Sequence, residues 1–498
     1  MKEKNNDAII INVKGSMKNM CGIKKNSTVP IYFLSLCIAF FFVIISVASC
    51  SEEKSTNREI AEKLICQIDF SSLIKESFTT SPDNKHVAYA AQAGNKQFVV
   101  VDGKEEKQYD RVGKDSLIFS PDSKHVAYGA QTGNKQFVVV DGKEGKPYDG
   151  IGNASLIFSP DSKRVAYGAI AGTKQFVVVD EKEEKQYDRI GKGSFIFSPD
   201  SKRVAYVAVA GNKGFVVVDG KKEDNHYDGF RYPIFSPDSK HVAYVAKVGN
   251  KGFVVVDGKE DKHYDSIMEG TPIFSSDSKH VVYAAKVGNK MFVVVDGKEG
   301  KQYDGIMEGN PIFSPDSKHV AYAAKVGNKG FVVVDGKEDK HYDGIMEGTP
   351  IFSSDSKHVA YAARAGNKWS VSVNGKEGKE YDHVGKGTLI FSPDSRQVAY
   401  AAQTGNSWFV VVDGKEEKHY DGVYDGFLVF SSDSKHVVYA AQAGNKGVVV
   451  VDGKEGKQFD RIVTLGQGKV VFDSFDSFHY LVIKGGSIYS AEERIKQE

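Results

Sequence analysis

Between Ser81 and Asp460, apolar and polar positions alternate in short runs that recur almost without pause. In the copy from Leu117 to Tyr148, a brief apolar run is closed by Pro121-Asp122-Ser123-Lys124. Proline presets φ and aspartate bonds to the backbone ahead of it, so this tetrapeptide reads as a turn. The next run, His125 to Gln131, alternates: Val126 and Tyr128 share one face and Ala127 takes the other. After the turn Thr132-Gly133-Asn134-Lys135 comes Gln136 to Val140 (QFVVV), the strongest strand signal of the unit, because aromatic and β-branched side chains suit a pleated surface. Asp141-Gly142 then predicts a two-residue hairpin with φ above zero at both positions. The last run, Lys143 to Tyr148, is charged and carries Pro147, which places it at a sheet edge.

The pattern is periodic. Its turn aspartate falls at Asp83, Asp122, Asp161, Asp200, Asp238, Asp277, Asp316, Asp355, Asp394 and Asp433, always 39 residues apart except for one step of 38. Each unit predicts four antiparallel strands, and no helix-length pattern appears between Phe78 and Leu465. One such sheet cannot bury both faces, and burying a Phe, Val or Tyr is worth ~1.5–3 kcal/mol. The neighbouring unit must therefore cover it, in a ring or a stack.

Four antiparallel strands per repeat is the propeller pattern. The FSPDSKxVAY corner followed by FVVVDG resembles the WD40-like PD40 repeats of the TolB type over most of the chain. The resemblance implies an all-β propeller of about ten four-stranded blades in one ring. Strand candidates at Lys469–Phe472, His479–Ile483 and Ser487–Ser490 lack a fourth partner. A strand from residues 64–75 would complete them and make eleven blades. The alternative is two smaller propellers in tandem, with the one-residue deletion near Phe230-Arg231-Tyr232 as their seam. The chain thus divides into a leader (1–49), a polar tether with a possible helical turn and the closing strand (50–75), ten repeats (76–466) and a partial blade (467–498). Copy three replaces the hairpin glycine with Glu181, a change expected to cost ~1 kcal/mol.

The leader reads as an address. Residues 1–30 hold six lysines and two acids, and Ile31 to Ser49 is a run of 19 uncharged residues. A basic segment, an apolar run and small residues form an export signal. Val47-Ala48-Ser49-Cys50 resembles the bacterial lipobox, which implies lipidation of Cys50, with the outer membrane favoured because Ser51 follows. An uncleaved anchor and an ordinary cleaved signal are the alternatives, and all three place the repeats outside the cytoplasm. Cys66 is expected to be a small buried hydrophobe.

Composition adds mainly exclusions. Without residues 1–49 the chain has a formal charge of −3, which gives no reason to expect nucleic acid as a partner. No HExxH, GxSxG, P-loop or EF-hand motif is present, and neither a metal nor a cofactor is expected. The repeated histidines (His86, His125, His241, His280, His319, His358, His436) and the repeated Tyr-Asp pairs are read as blade structure, since ligands of one ion must converge.

Positions where the copies differ carry more information. In propellers of this kind, the link into each first strand and the second-to-third turn share one face. Around that face the copies change character: Lys114, Lys192 and Lys386 in some links, Met268-Glu269, Met307-Glu308 and Met346-Glu347 in three consecutive ones, and Trp369 and Trp408 in adjacent copies. Methionine and tryptophan are enriched in interface cores, so these eight Met, Glu and Trp residues are the candidate binding face. The expected function is a non-enzymatic envelope scaffold that binds a protein or a glycan. The alternative is a carbohydrate-active lyase or hydrolase, for which Ser370 to Asn374 is the nearest candidate for a polar channel-facing strand.

Overall fold

The structure, a computed structural model, describes residues 58–496 except Lys114, 153–154, 224–226, Thr271 and 308–310. It is one β-propeller of eleven blades, with no break at Phe230 to Tyr232. Blade 2 is representative. Its innermost strand is interrupted: Arg111–Val112 and Ile118–Phe119 pair with Val126–Thr132 as two separate pieces. Lys135–Val140 comes next, and Lys143–Glu144 forms the outer edge.

The turns follow the local chemistry. Asp141 and Gly142 adopt φ of 50° and 76°, as the hairpin requires, and in copy three Glu181 is forced to φ 64°. In the Ser-Pro-Asp-Ser corner, Ser120 Oγ donates to Asp122 Oδ1 at 2.6 Å and accepts from His125 N at 3.0 Å. The second corner serine, Ser123, also lies in the left-handed region at φ 65°.

That serine is aimed at the preceding blade. Asp83 N donates to Ser123 Oγ at 2.9 Å, Asp122 N to Ser162 Oγ at 2.9 Å, and the same bond recurs across the next seams as far as Asp394 and Ser434. The Tyr-Asp pair makes a second link. Asp149 accepts from Lys135 Nζ of its own repeat at 2.7 Å and from Gly172 N of blade 3 at 2.7 Å. Tyr148 packs edge-on against Tyr167 and Phe176 of blade 3, with ring centroids 6.3 and 5.5 Å apart. The core is therefore a series of slabs between blades. Each slab holds Ala and Val from one second and third strand and Tyr, Phe and Val from the next.

Blade 11 is closed by the N-terminal end of the described chain. Residues Arg58–Gln67 pair with Ser487–Ile495, so the segment that reads as tether and helical turn is a strand ten residues long. It is charged because it is an outermost strand: Glu62 receives Lys457 and Lys484, and Arg58 pairs with Glu493 at 2.9 Å. On its other side blade 11 meets blade 1. His479, fully buried, stands 2.6 Å from both the Asp473 carboxylate and the Asp83 carbonyl, and Asn84 Nδ2 donates to Lys469 O at 2.7 Å. Cys66 lies in the slab between blades 11 and 1, where burial pushes its thiol pKa up to about 11.

Candidate functional site

The repeated histidines do not converge. His125 Nδ1 sits 2.7 Å from Asp141 Oδ2 in its own hairpin, and the equivalent contact recurs at His86, His241, His280, His319 and His436. His358 contacts Asn374 instead. The hydrogen bond to Asp102 raises the His86 pKa above its ordinary value. Where arginine replaces histidine, it also reaches the next blade: Arg164 Nη1 donates to Ser201 O at 3.0 Å. Among the described residues, no group of three His, Cys, Asp or Glu side chains is placed to hold a metal ion.

The variable positions fall at two depths. The Met-Glu segments lie inside the innermost strand. Met268 N continues the ladder by donating to Ala284 O at 2.9 Å, and Glu269 stands exposed in the bulge beyond it. Met268, Met307 and Met346 are half-buried and pack into the slabs between blades 6 and 7, 7 and 8, and 8 and 9. Glu347 pairs with Lys386 of the next blade at 2.5 Å, and Lys192 stands exposed in its own bulge. Glu308, Lys114 and Cys50 lie outside the described residues.

Trp369 and Trp408 are half-buried and occupy the second position of a third strand, which faces the following blade. That position decides how each seam is filled. In blades 1–3 it is glutamine: Gln97, Gln136 and Gln175 accept from the N–H groups of Val112, Ile151 and Ile190 at 2.9, 2.8 and 3.0 Å. In blades 4, 5, 7 and 10 it is glycine, and the following blade fills the space. A Cβ on Gly330 would lie 3.3 Å from Ile345 Cγ1 of the following blade and 3.2 Å from Sδ of Met307 in its own. Ser370 to Asn374, the segment considered for a polar channel strand, is in the third strand of blade 8, not the innermost. Ser370 and Ser372 are buried within the sheet.

One set of residues was not anticipated. Val248, Val287 and Val326, at the ends of the second strands of blades 5, 6 and 7, are 45%, 44% and 47% exposed. In every other repeat the same position is Ala or Thr. Beside them stand the exposed Lys247, Lys286 and Lys325, where blades 1, 2, 9 and 10 have Gln. The signal was the substitution of AKVGN for AQTGN in adjacent copies. These residues lie on the same face as the links into the first strands, since Lys286 pairs in the ladder with Ser266 and Lys325 with Gly305.

Neither a family model nor a curated protein matches this chain. Among solved structures, it is similar to a crystal structure of the eukaryotic initiation factor, with 14% identity over 68% of this chain and 96% of that one, at a TM-score of 0.37. It is also similar to the β-propeller domain of the Trilobed protease from Pyrococcus furiosus, with 16% identity over 56% and 98% of the two chains and a TM-score of 0.27. A third is the Cps50 (Swd1) β-propeller domain of Myceliophteria thermophila, with 11% identity over 52% and 95% and a TM-score of 0.25. By its own strand order, the chain is an all-β propeller of eleven four-stranded blades.

Proposed function

We propose that this propeller is a non-enzymatic scaffold of the cell envelope, held to the membrane by a lipid on Cys50 and binding a protein partner through its link-and-turn face. The observation that carries this reading is how the repeated polar groups are used. The corner Asp and Ser, the Tyr-Asp pair, the hairpin Asp and its His are bonded within a blade or across a seam, so the repeat itself is architecture. What remains to distinguish one part of the ring from another is the face where Val, Lys, Met and Glu vary. Apolar side chains left exposed together mark interaction surfaces on soluble proteins.

The PD40 and TolB resemblance, the lipobox and the uncharged run before Cys50 support an exported, anchored protein. Two experiments test the reading. Fractionation of cells carrying wild type or Cys50→Ala is expected to leave wild type in the membrane fraction and release the variant; equal retention of both overturns the anchor. Capture from detergent-solubilised envelope with the full chain is expected to retain a partner specifically, and absence of any retained protein overturns the scaffold.

A further inference from the structure

We infer that the mouths of the seams around blades 5, 6 and 7 form a docking strip for an acidic, aliphatic segment of a partner protein, an inference that rests on the scaffold reading above. The strip follows from strand alternation. Tyr283 and Ala285 pack towards blade 5, so Val287 stands on that side; Val282 and Ala284 pack towards blade 7, so Lys286 stands on the other. The same parity holds in blades 5 and 7. The mouth of the seam between blades 5 and 6 therefore presents Lys247 beside Val287, and the next presents Lys286 beside Val326.

Each of these lysines is a second cation near one link carboxylate, Lys247 near Asp228, Lys286 near Asp265 and Lys325 near Asp304. The link carboxylates nearby, Asp228, Asp265 and Asp304, are already held by Lys213, Lys251 and Lys290 at 2.9, 2.6 and 2.7 Å. They are held again by the N–H groups of Gly249, Gly288 and Gly327. Two of the three lysines also lack lateral cover. Lys247 is flanked in its ladder by Gly229 and Gly252, and Lys325 by Gly305 and Gly330. The strip stops at blade 8, where Arg364 lies over the Trp369 ring at 5.9 Å and donates to Gly366 O at 2.8 Å, and where Ala365 replaces valine.

Charge complementarity selects carboxylates, and valines 44–47% exposed select short aliphatic contacts. A lipid surface is the poorer fit, because membrane-seated faces carry Trp, Phe or Leu rather than valine.

The test uses the full chain and a short fluorescein-labelled peptide of alternating glutamate and leucine, read by anisotropy. A glutamine-leucine peptide and phosphatidylglycerol vesicles are run beside it. Two triple variants borrow residues that the same turn carries in blades 2 and 9: Lys247→Gln/Lys286→Gln/Lys325→Gln and Val248→Thr/Val287→Thr/Val326→Thr. Wild type is expected to prefer the acidic peptide. The lysine variant is expected to bind it about tenfold more weakly, and the valine variant several-fold. Equal binding by wild type and both variants, no binding by wild type, or preference for the vesicles overturns the strip. Envelope capture separates the two readings. A partner retained by wild type and by both variants leaves the scaffold standing and removes the strip; a partner lost with either variant supports the strip.

Discussion

Blades 1–3 and blades 5–8 come from one repeat but join their neighbours by different means. In the first arc a glutamine on the third strand crosses the seam and accepts from the next blade's backbone. In the second, glycine at that position withdraws, as at Gly252 and Gly330, or Met291 and Trp369 fill it, and Ile from the following blade with Met from the blade's own innermost strand supplies the bulk. The change reaches the surface. A third-strand glycine leaves the residue opposite it on the second strand without a cross-strand neighbour, and in blades 5 and 7 that residue is the exposed Lys247 or Lys325. The chemistry of a seam thus sets what its mouth can present.

Because the two arcs are held differently, different substitutions should break them. The largest effect is expected from Ile345→Ala, which empties an apolar seam around a side chain only 5% exposed. It should cost ~2–5 kcal/mol in denaturant unfolding. Gly330→Gln, which imports the residue of the other arc, should cost ~1–3 kcal/mol, because its Cβ meets Met307 and Ile345 before either can move. Gln136→Ala should cost only ~1 kcal/mol, the loss of one acceptor for the Ile151 N–H.

Acid should act on both arcs alike. A link aspartate, Asp110, is held below the ordinary carboxylate range first by its hydrogen bond from Lys96, and a corner aspartate, Asp238, is held at about 2 first by Ser236. A carboxyl with a depressed folded value stabilises the fold above its unfolded value and loses that contribution as pH falls. Stability measured against pH should therefore drop between about 3.9 and about 2, to the same degree in Ile345→Ala and Gln136→Ala. The smallest effect belongs to the rim: Lys301→Ala breaks an exposed pair with Glu338 and should cost under ~1 kcal/mol.

Local chemistry was legible in the sequence, and contacts across seams were not. The hairpin at Asp141-Gly142 and the charged outer edge at Lys143 follow from residue types alone. The left-handed Ser123 does not, because its reason lies in Asp83 of the preceding blade, forty residues away. The eleventh blade was only half visible. Its closing strand, Arg58–Gln67, has an edge strand's polarity and so resembles a tether, while its partner lies at the far end of the chain. Met268, Met307, Met346, Trp369 and Trp408 stood out by type, yet alternation turns them into the seams. Val248, Val287 and Val326 were hidden because a valine before Gly-Asn reads as the last residue of a strand, and only the register shows it to be uncovered.

The difference between the arcs is tested most directly by photo-crosslinking in intact cells. A photoreactive amino acid is placed at Val287 in one strain and at Thr132, the same turn in the glutamine arc, in another. The account predicts a discrete crosslinked protein from position 287 that is lost when Lys247, Lys286 and Lys325 become Gln, and none from position 132. Equal crosslinking from both positions, or none from position 287, would contradict it.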